Sequence, residues 1–184
     1  IIDTATGLVR ELLDVVISDG EIQDVCESAS PLSEGVMEID CHGQYAIPGF
    51  FDCHTHLAAL TNQPPEVERE IFDECQLRGS FEEGCLARPV LQDFVRRGIT
   101  QVRDLGGPVH GLQGMKPDRV TATVFGPDIL YAGPMLEMPP LTGAEMNERW
   151  PGWTVAIDSA GSAEEVVASL VESGVSCLKV FGRF

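Results

Sequence analysis

The chain has 184 residues, enough for one domain with a substantial core or for a small domain plus part of a larger one. Its 29 acidic residues against 12 basic ones give a formal net charge of -17, which excludes nucleic acid and anionic membrane surfaces as expected partners. No apolar run reaches the length that spans a bilayer, and the six cysteines form no Cys-x-x-Cys pair, so reduced thiols are expected rather than a disulfide framework.

The chain starts at Ile1, and 179–184 reads as an apolar strand, so the sequence is expected to be a segment of a longer chain. Residues 1–47 read as short strands and turns. Leu13 to Ile17 is a strand candidate, Asp19-Gly20 is a hairpin turn signal, and Glu21 to Val25 alternates polar with apolar. Val36 to Asp40 and Gln44 to Ile47 are predicted as two further strands around His42-Gly43. Together they predict a small antiparallel layer without a full core of its own.

From Pro48 the pattern changes. Phe50 to Thr55 predicts a buried strand, on which Asp52, His54 and His56 share one face. Imidazoles two residues apart on a strand lie about 7 Å from each other. They can close on one divalent ion, and neutral imidazole suits zinc, nickel, iron or cobalt. A bare His-x-His is equally compatible with hydrogen-bonded core or loop histidines. The Pro-Gly and Phe-Phe pairs before it, and Asp52 on the same face, favour the metal reading. A metal site needs three or four ligands, so the remainder must come from elsewhere.

A helix is predicted over 66–77, after Pro64-Pro65. A second carries Leu86, Val90, Leu91, Phe94 and Val95 on one side, has Pro89 in its first turn and stops at Gly98. Ile99 to Asp104 and Val120 to Phe125 are predicted strands, closed by Gly106-Gly107-Pro108 and Gly126-Pro127. Tyr131 to Trp153 reads as one long, Gly- and Pro-rich loop of the kind that forms a functional rim. Ser162 can cap the clearest helix, with Glu165 completing a capping box, Val166, Val167, Leu170 and Val171 forming the buried stripe, and Gly174 ending it. Val175 to Phe181 is the last strand, and Cys53 and Cys177 fall in strands expected to be buried. Strand, helix and strand in repetition imply a parallel sheet or barrel, and four barrel-type strands are half of an eight-stranded one.

In such barrels the C-terminal strand ends carry the active site, which puts His54, His56, Asp104 and Lys179 near one rim. Lys179 is conspicuous because the chain has one other lysine, Lys116. Inside an apolar strand a lysine must snorkel, pair with a carboxylate or lose its charge. A neutral amine can take up carbon dioxide to give a carbamate, an anionic oxygen ligand able to bridge two divalent ions. Arg103-Asp104 is expected as a structural ion pair or loop anchor ahead of a catalytic dyad, because adjacent strand residues face opposite ways. His110 is by default a surface residue, and nothing argues for His42. Tyr131, Trp150 or Trp153 could cover a pocket or simply anchor the long loop. Gly106-Gly107 lacks the phosphate-cradling pattern of a nucleotide-binding sheet.

Several stretches in order resemble the amidohydrolase superfamily of metal-dependent hydrolases, and within it the imidazolonepropionase-like and Xaa-Pro dipeptidase-like group. They are Ile1-Ile2-Asp3, Ile17-Ser18-Asp19-Gly20-Glu21-Ile22, Ala46-Ile47-Pro48-Gly49-Phe50-Phe51-Asp52-Cys53-His54-Thr55-His56-Leu57, Gly98 to Gly107, and Gly174 to Val180. The resemblance implies that His54 and His56 bind metal and that Lys179, at the end of the fourth strand, is carboxylated and bridges a metal pair. It implies one or two divalent ions, zinc foremost, that lower the pKa of water and polarise a scissile carbonyl. Asp52 is expected to support an imidazole or the strand-end backbone behind the ligands. Further ligands in the superfamily, histidines of the fifth and sixth strands and an aspartate of the eighth, have no counterpart in this sequence.

The expected fold class is therefore α/β: the first half of a (β/α)8 TIM-type barrel at 48–184, preceded at 1–47 by part of a small β-sandwich. The expected activity is hydrolysis of an amide or peptide-like C–N bond, cyclic amides included, by a longer parent chain, the isolated segment being inactive. The expected partner is a small amide or dipeptide-like substrate, a homo-oligomer is compatible with the full-length parent, and the expected location is cytoplasmic. The alternative is a noncatalytic metal-binding or structural remnant of an amidohydrolase.

Overall fold

Residues 1–27, 35–57, 87–107, 126–139, 147–148 and 152–182 are described in the computed structural model, and the chain divides into two units, Ile1–Pro48 and Gly49–Phe184. In the first unit, β1 (Leu13–Ser18) and β2 (Glu21–Glu27) form an antiparallel hairpin. Its turn holds Asp19 at φ 55 and Gly20 at φ 77, the two left-handed residues that the tight turn between twisted strands requires. Ile2 bridges Val9, and the Asp3 carboxylate gathers the N–H groups of Ala5 and Thr6.

The two strands expected at 36–40 and 44–47 are not formed. The turn between them is present, with Gln44 N–H donating to the Cys41 carbonyl at 3.0 Å and His42 N–H to Asp40 Oδ1 at 2.8 Å. Val36, Met37 and Ile39 are exposed. Alternation makes a segment able to pair, but a ladder makes it a strand. Among the described residues, what ties 44–47 elsewhere is one backbone bond, from Ile2 N–H to the Ala46 carbonyl at 3.0 Å.

The second unit holds two parallel three-stranded sheets. One has the order β3-β4-β5, from β3 (Phe50–Thr55), β4 (Ile99–Asp104) and β5 (Asp128–Tyr131). The other has the order β7-β6-β8, from β6 (Met135–Glu137), β7 (Thr154–Ala156) and β8 (Lys179–Phe181). Helix α1 (Ala87–Arg96) leads into β4, with Pro89 in its first turn, and α2 (Ala160–Glu172) precedes β8. Leu57, Leu91, Val102, Ile129 and Tyr131 form the core, with Phe94, Ile99 and Val175 packed against it. The start of β3 is set tightly against β4. A Cβ on Gly49 would lie 2.1 Å from Thr100 Oγ1, so only glycine lets the chain enter here, and Phe50 N–H then donates to the Gly98 carbonyl at 2.8 Å.

Several expectations are corrected. β3 is not a buried strand: Phe50 is 57% and Phe51 37% exposed, because β3 lies at the edge of its sheet with β4 on one side. Cys53 on it is exposed as well. The stretch from Tyr131 to Trp153 is not one loop, since β6 lies inside it; its three residues are buried throughout and so show no alternation to read. α2 begins at Ala160, capped by Ser159 rather than Ser162. Ser162 N–H donates to Ser159 Oγ and Ser159 N–H to Ser162 Oγ, each at 3.1 Å, so a serine does what a glutamate was expected to do. Val171 is 63% exposed and leaves the buried stripe to Leu170. The last strand covers 179–181 only, because Val175 N–H is committed to the Leu170 carbonyl and Ser176 N–H to that of Tyr131.

The helix expected over 66–77, the strand at 120–125, Leu86, His110 and Trp150 lie outside the described residues. No helix among the described residues is long and apolar enough to cross a membrane.

Candidate functional site

β3 delivers both histidines to the C-terminal end of its sheet. His54 is exposed on the strand, and His56 is half-buried just past its end. Their ring centroids lie 5.2 Å apart with the planes at 68°. Asp52 Oδ1 accepts the His54 backbone N–H at 3.0 Å, so this carboxylate holds the strand that carries the imidazoles. His56 packs against Trp153, ring centroids 5.8 Å apart, and Trp153 is 2% exposed.

Burial holds the His56 imidazole below the usual histidine range; the Gly106 carbonyl works in the other direction, and the charges of His54 and Lys179 add to the lowering. Its Nδ1 is buried and makes no hydrogen bond of ordinary geometry, although the Gly106 carbonyl is near enough to favour the charged ring. The lowering favours the neutral imidazole, whose one unprotonated nitrogen can act as a ligand.

Arg103 and Asp104 face opposite ways, as adjacent strand residues must. Arg103 Nε donates to the Cys53 carbonyl at 2.9 Å, tying β4 to β3. Asp104 is fully buried; Oδ2 accepts the N–H of Leu57 and Oδ1 that of Gly106 at 3.1 Å. Of the two structural roles expected for this pair, the loop anchor is the one formed. Burial pushes the Asp104 carboxyl up to about 6, against the two N–H donors that pull it down.

Lys179 is half-buried at the first position of β8, in register with Met135 of β6, and its charge reaches His56. Glu137, two residues beyond Met135, is buried at the end of β6. Among the described residues no group of three or more His, Cys, Asp and Glu side chains converges on a metal-sized space. The structure thus brings His54 and His56 together and sets Lys179 within electrostatic reach of His56, with Asp52 bonded to the His54 backbone. Tyr131 is buried, its hydroxyl donating to the Ser173 carbonyl at 3.3 Å, which makes it an anchor rather than a cover.

No protein-family model matches the chain. Over 106 residues it is 38% identical to an imidazolonepropionase from Psychromonas ingrahamii, a match covering 57% of this chain and 26% of that protein. Its fold superposes on the crystal structure of a prolidase complexed with N-methylphosphonate-L-proline, with a TM-score of 0.68, 23% identity and coverage of 97% of this chain and 44% of that one. A crystal structure of an amidohydrolase gives a TM-score of 0.67 at 24% identity, covering 92% of this chain and 41% of that one.

In sequence the chain is similar to curated imidazolonepropionases, and in fold to solved amidohydrolase-type structures. A second imidazolonepropionase, from Thermoplasma acidophilum, is 41% identical over 63 residues, 34% of this chain and 15% of that protein. The chain spans about a quarter of the Psychromonas ingrahamii protein and less than half of the solved chains.

Three further residues stand beside the candidate site or on the neighbouring sheet. Trp153, expected either to cover a pocket or to anchor the loop, is buried with its ring against that of His56. Gly106 was read as a strand terminator; a Cβ there would lie 3.4 Å from His56 Nδ1 and Cε1 and 3.3 Å from Met135 Cγ, so the glycine seats the ring. Glu137 carries the one legible signal, a carboxylate directly after the apolar pair Met135-Leu136.

Proposed function

We propose that this chain belongs to the amidohydrolase superfamily and forms part of a metal-dependent hydrolase of amide or peptide-like C–N bonds, cyclic amides included. In this reading 48–184 supplies the first four β/α units of a (β/α)8 barrel, and 1–47 part of a small β-sandwich. His54, His56 and Lys179 hold one or two divalent ions, zinc foremost, and the substrate is a small amide or dipeptide-like molecule.

The observation that carries the proposal is the pair of imidazoles at the end of a parallel strand, 5.2 Å apart. Two imidazoles sharing one ion in tetrahedral geometry, each nitrogen about 2 Å from it, have centroids separated by about 5 Å. The donor chemistry fits too, because burial keeps His56 neutral and its Nδ1 lacks a protein partner of ordinary geometry. When bound, a divalent ion supplies Lewis-acid polarisation of a carbonyl and a lowered pKa for water.

The chain's own residues do the positioning. Asp52 fixes the backbone at His54, Trp153 excludes water from one face of His56, and Gly106 seats the ring. Lys179 in its neutral form can add to carbon dioxide, forming an N–C bond and releasing a proton. The resulting carbamate replaces a cation that repels metal with an anionic oxygen ligand.

The test is hydrolysis of Xaa-Pro dipeptides and cyclic amides by the full-length protein, before and after chelation and after zinc is restored. Turnover that chelation abolishes and zinc restores supports the proposal. Turnover indifferent to chelation, or none on any amide with metal loaded, sinks it. A metal-loaded protein without turnover would favour the noncatalytic metal-binding reading.

A further inference from the structure

Asp104 is the most deeply buried carboxylate among the described residues, and the two backbone groups it holds flank His56 on different segments. Leu57 N–H, which donates to Oδ2, belongs to the residue directly after His56. Gly106 N–H, which donates to Oδ1 at 3.1 Å, belongs to the residue whose Cα side lies against the His56 ring. The neighbouring backbone repeats the tie: Leu105 N–H donates to the Thr55 carbonyl at 3.0 Å, and Ala132 N–H to the Asp104 carbonyl at 3.0 Å. Segments 55–57, 104–106 and 132 are thereby joined around one imidazole.

We propose that Asp104 is a positioning residue for His56, setting the ring for metal by holding Leu57 and Gly106 on either side of it. The carboxylate touches neither the ring nor the metal position. Its effect passes through two N–H groups buried with it, and a neutral side chain of the same shape cannot accept from both. Asparagine offers one carbonyl oxygen and turns an NH2 toward the second donor, so one side of the seat opens. A displaced imidazole is a poorer ligand, and substituting the residues that orient metal-binding histidines typically costs 10–100-fold in affinity. This inference rests on reading His56 as a ligand, and the experiment separates the two.

The experiment compares full-length wild type, Asp104→Asn and, as a stability control, Leu170→Ala, whose side chain is buried on α2. Zinc affinity is measured by competition with a chromophoric chelator. The His56 imidazole resonances are measured in metal-free protein by 15N-histidine NMR, assigned with His56→Ala. The expected result is zinc binding weakened about 10–100-fold in Asp104→Asn with shifted His56 resonances, while Leu170→Ala leaves both unchanged. Unmoved resonances with affinity within about twofold of wild type would overturn the proposal, as would equal effects from Leu170→Ala. If wild type binds no zinc, the metal reading fails, and the NMR comparison alone decides whether Asp104 sets the ring. Should Asp104→Asn fail to fold, Gly106→Ala enters the same contact from the other side: it must shift the His56 resonances, and unmoved resonances there overturn the proposal.

Discussion

β3 and β4 lie side by side in one parallel sheet and do different work. β3 is at the edge, exposes both its phenylalanines, and carries the two imidazoles; the carboxylate that supports it, Asp52, is two residues from the group it holds. β4 is central, fully buries Val102 and Asp104, and bonds to groups far away in sequence, from Asp104 to Leu57 and from Arg103 to Cys53. The difference separates presentation from placement. The imidazole pair sits at the margin of the sheet, and the carboxylate that bonds the segments beside His56 sits at its buried centre.

The largest expected effect comes from the wall behind His56. Trp153→Ala removes a buried ring and should cost about 3–5 kcal/mol in urea unfolding. It should also raise the His56 pKa toward the ordinary histidine value, because burial is the main cause of its lowering. An unchanged His56 titration would show that Trp153 does not enclose the ring.

Next is Asp104→Ala, which leaves two buried donors without their acceptor and should cost about 2–4 kcal/mol. Asp104 also predicts a sign with pH. Its carboxyl titrates at about 6 in the fold and near 3.8 in the unfolded chain. Between these values the native state holds the extra proton, so stability falls as pH rises. The advantage of wild type over Asp104→Asn in urea unfolding should therefore shrink from pH 4 to above pH 6, by up to about 3 kcal/mol. A constant or growing advantage would contradict the buried placement.

Asp52→Ala removes one local bond on a half-buried strand residue and should cost about 0.5–1.5 kcal/mol, well below the Asp104 change. Equal costs at the two positions would erase the contrast between the strands. The smallest effect belongs to Val171→Thr on the exposed side of α2, within about 0.5 kcal/mol of wild type.

Much of this arrangement was legible where pattern and structure share one cause. The limits of β3 and β4 and the Asp19-Gly20 turn follow from alternation, β-branched residues and turn chemistry, which are local properties. The short parallel strand β6 was not legible, because three residues buried on every side carry no period and Gly133-Pro134 beside them reads as a break. The 36–40 and 44–47 segments failed in the opposite sense: they have the period and lack a ladder. At the site, the His-x-His spacing announced the imidazole pair. The contacts of His56 with Trp153 and Gly106 join residues 97 and 50 positions away, and only the folded sheets bring them together. Asp104 could be narrowed to an ion pair or an anchor from strand alternation, but its actual partners, two backbone N–H groups, leave no mark in a sequence.

The measurement that bears most directly on the central claim is elemental mass spectrometry of the full-length protein, wild type against a His54→Ala, His56→Ala double variant. The account predicts one or two first-row metal ions per chain in wild type and their loss in the variant. No metal in either protein, or the same metal content in both, would contradict the assignment of these imidazoles as ligands and leave the likeness to amidohydrolases as one of fold.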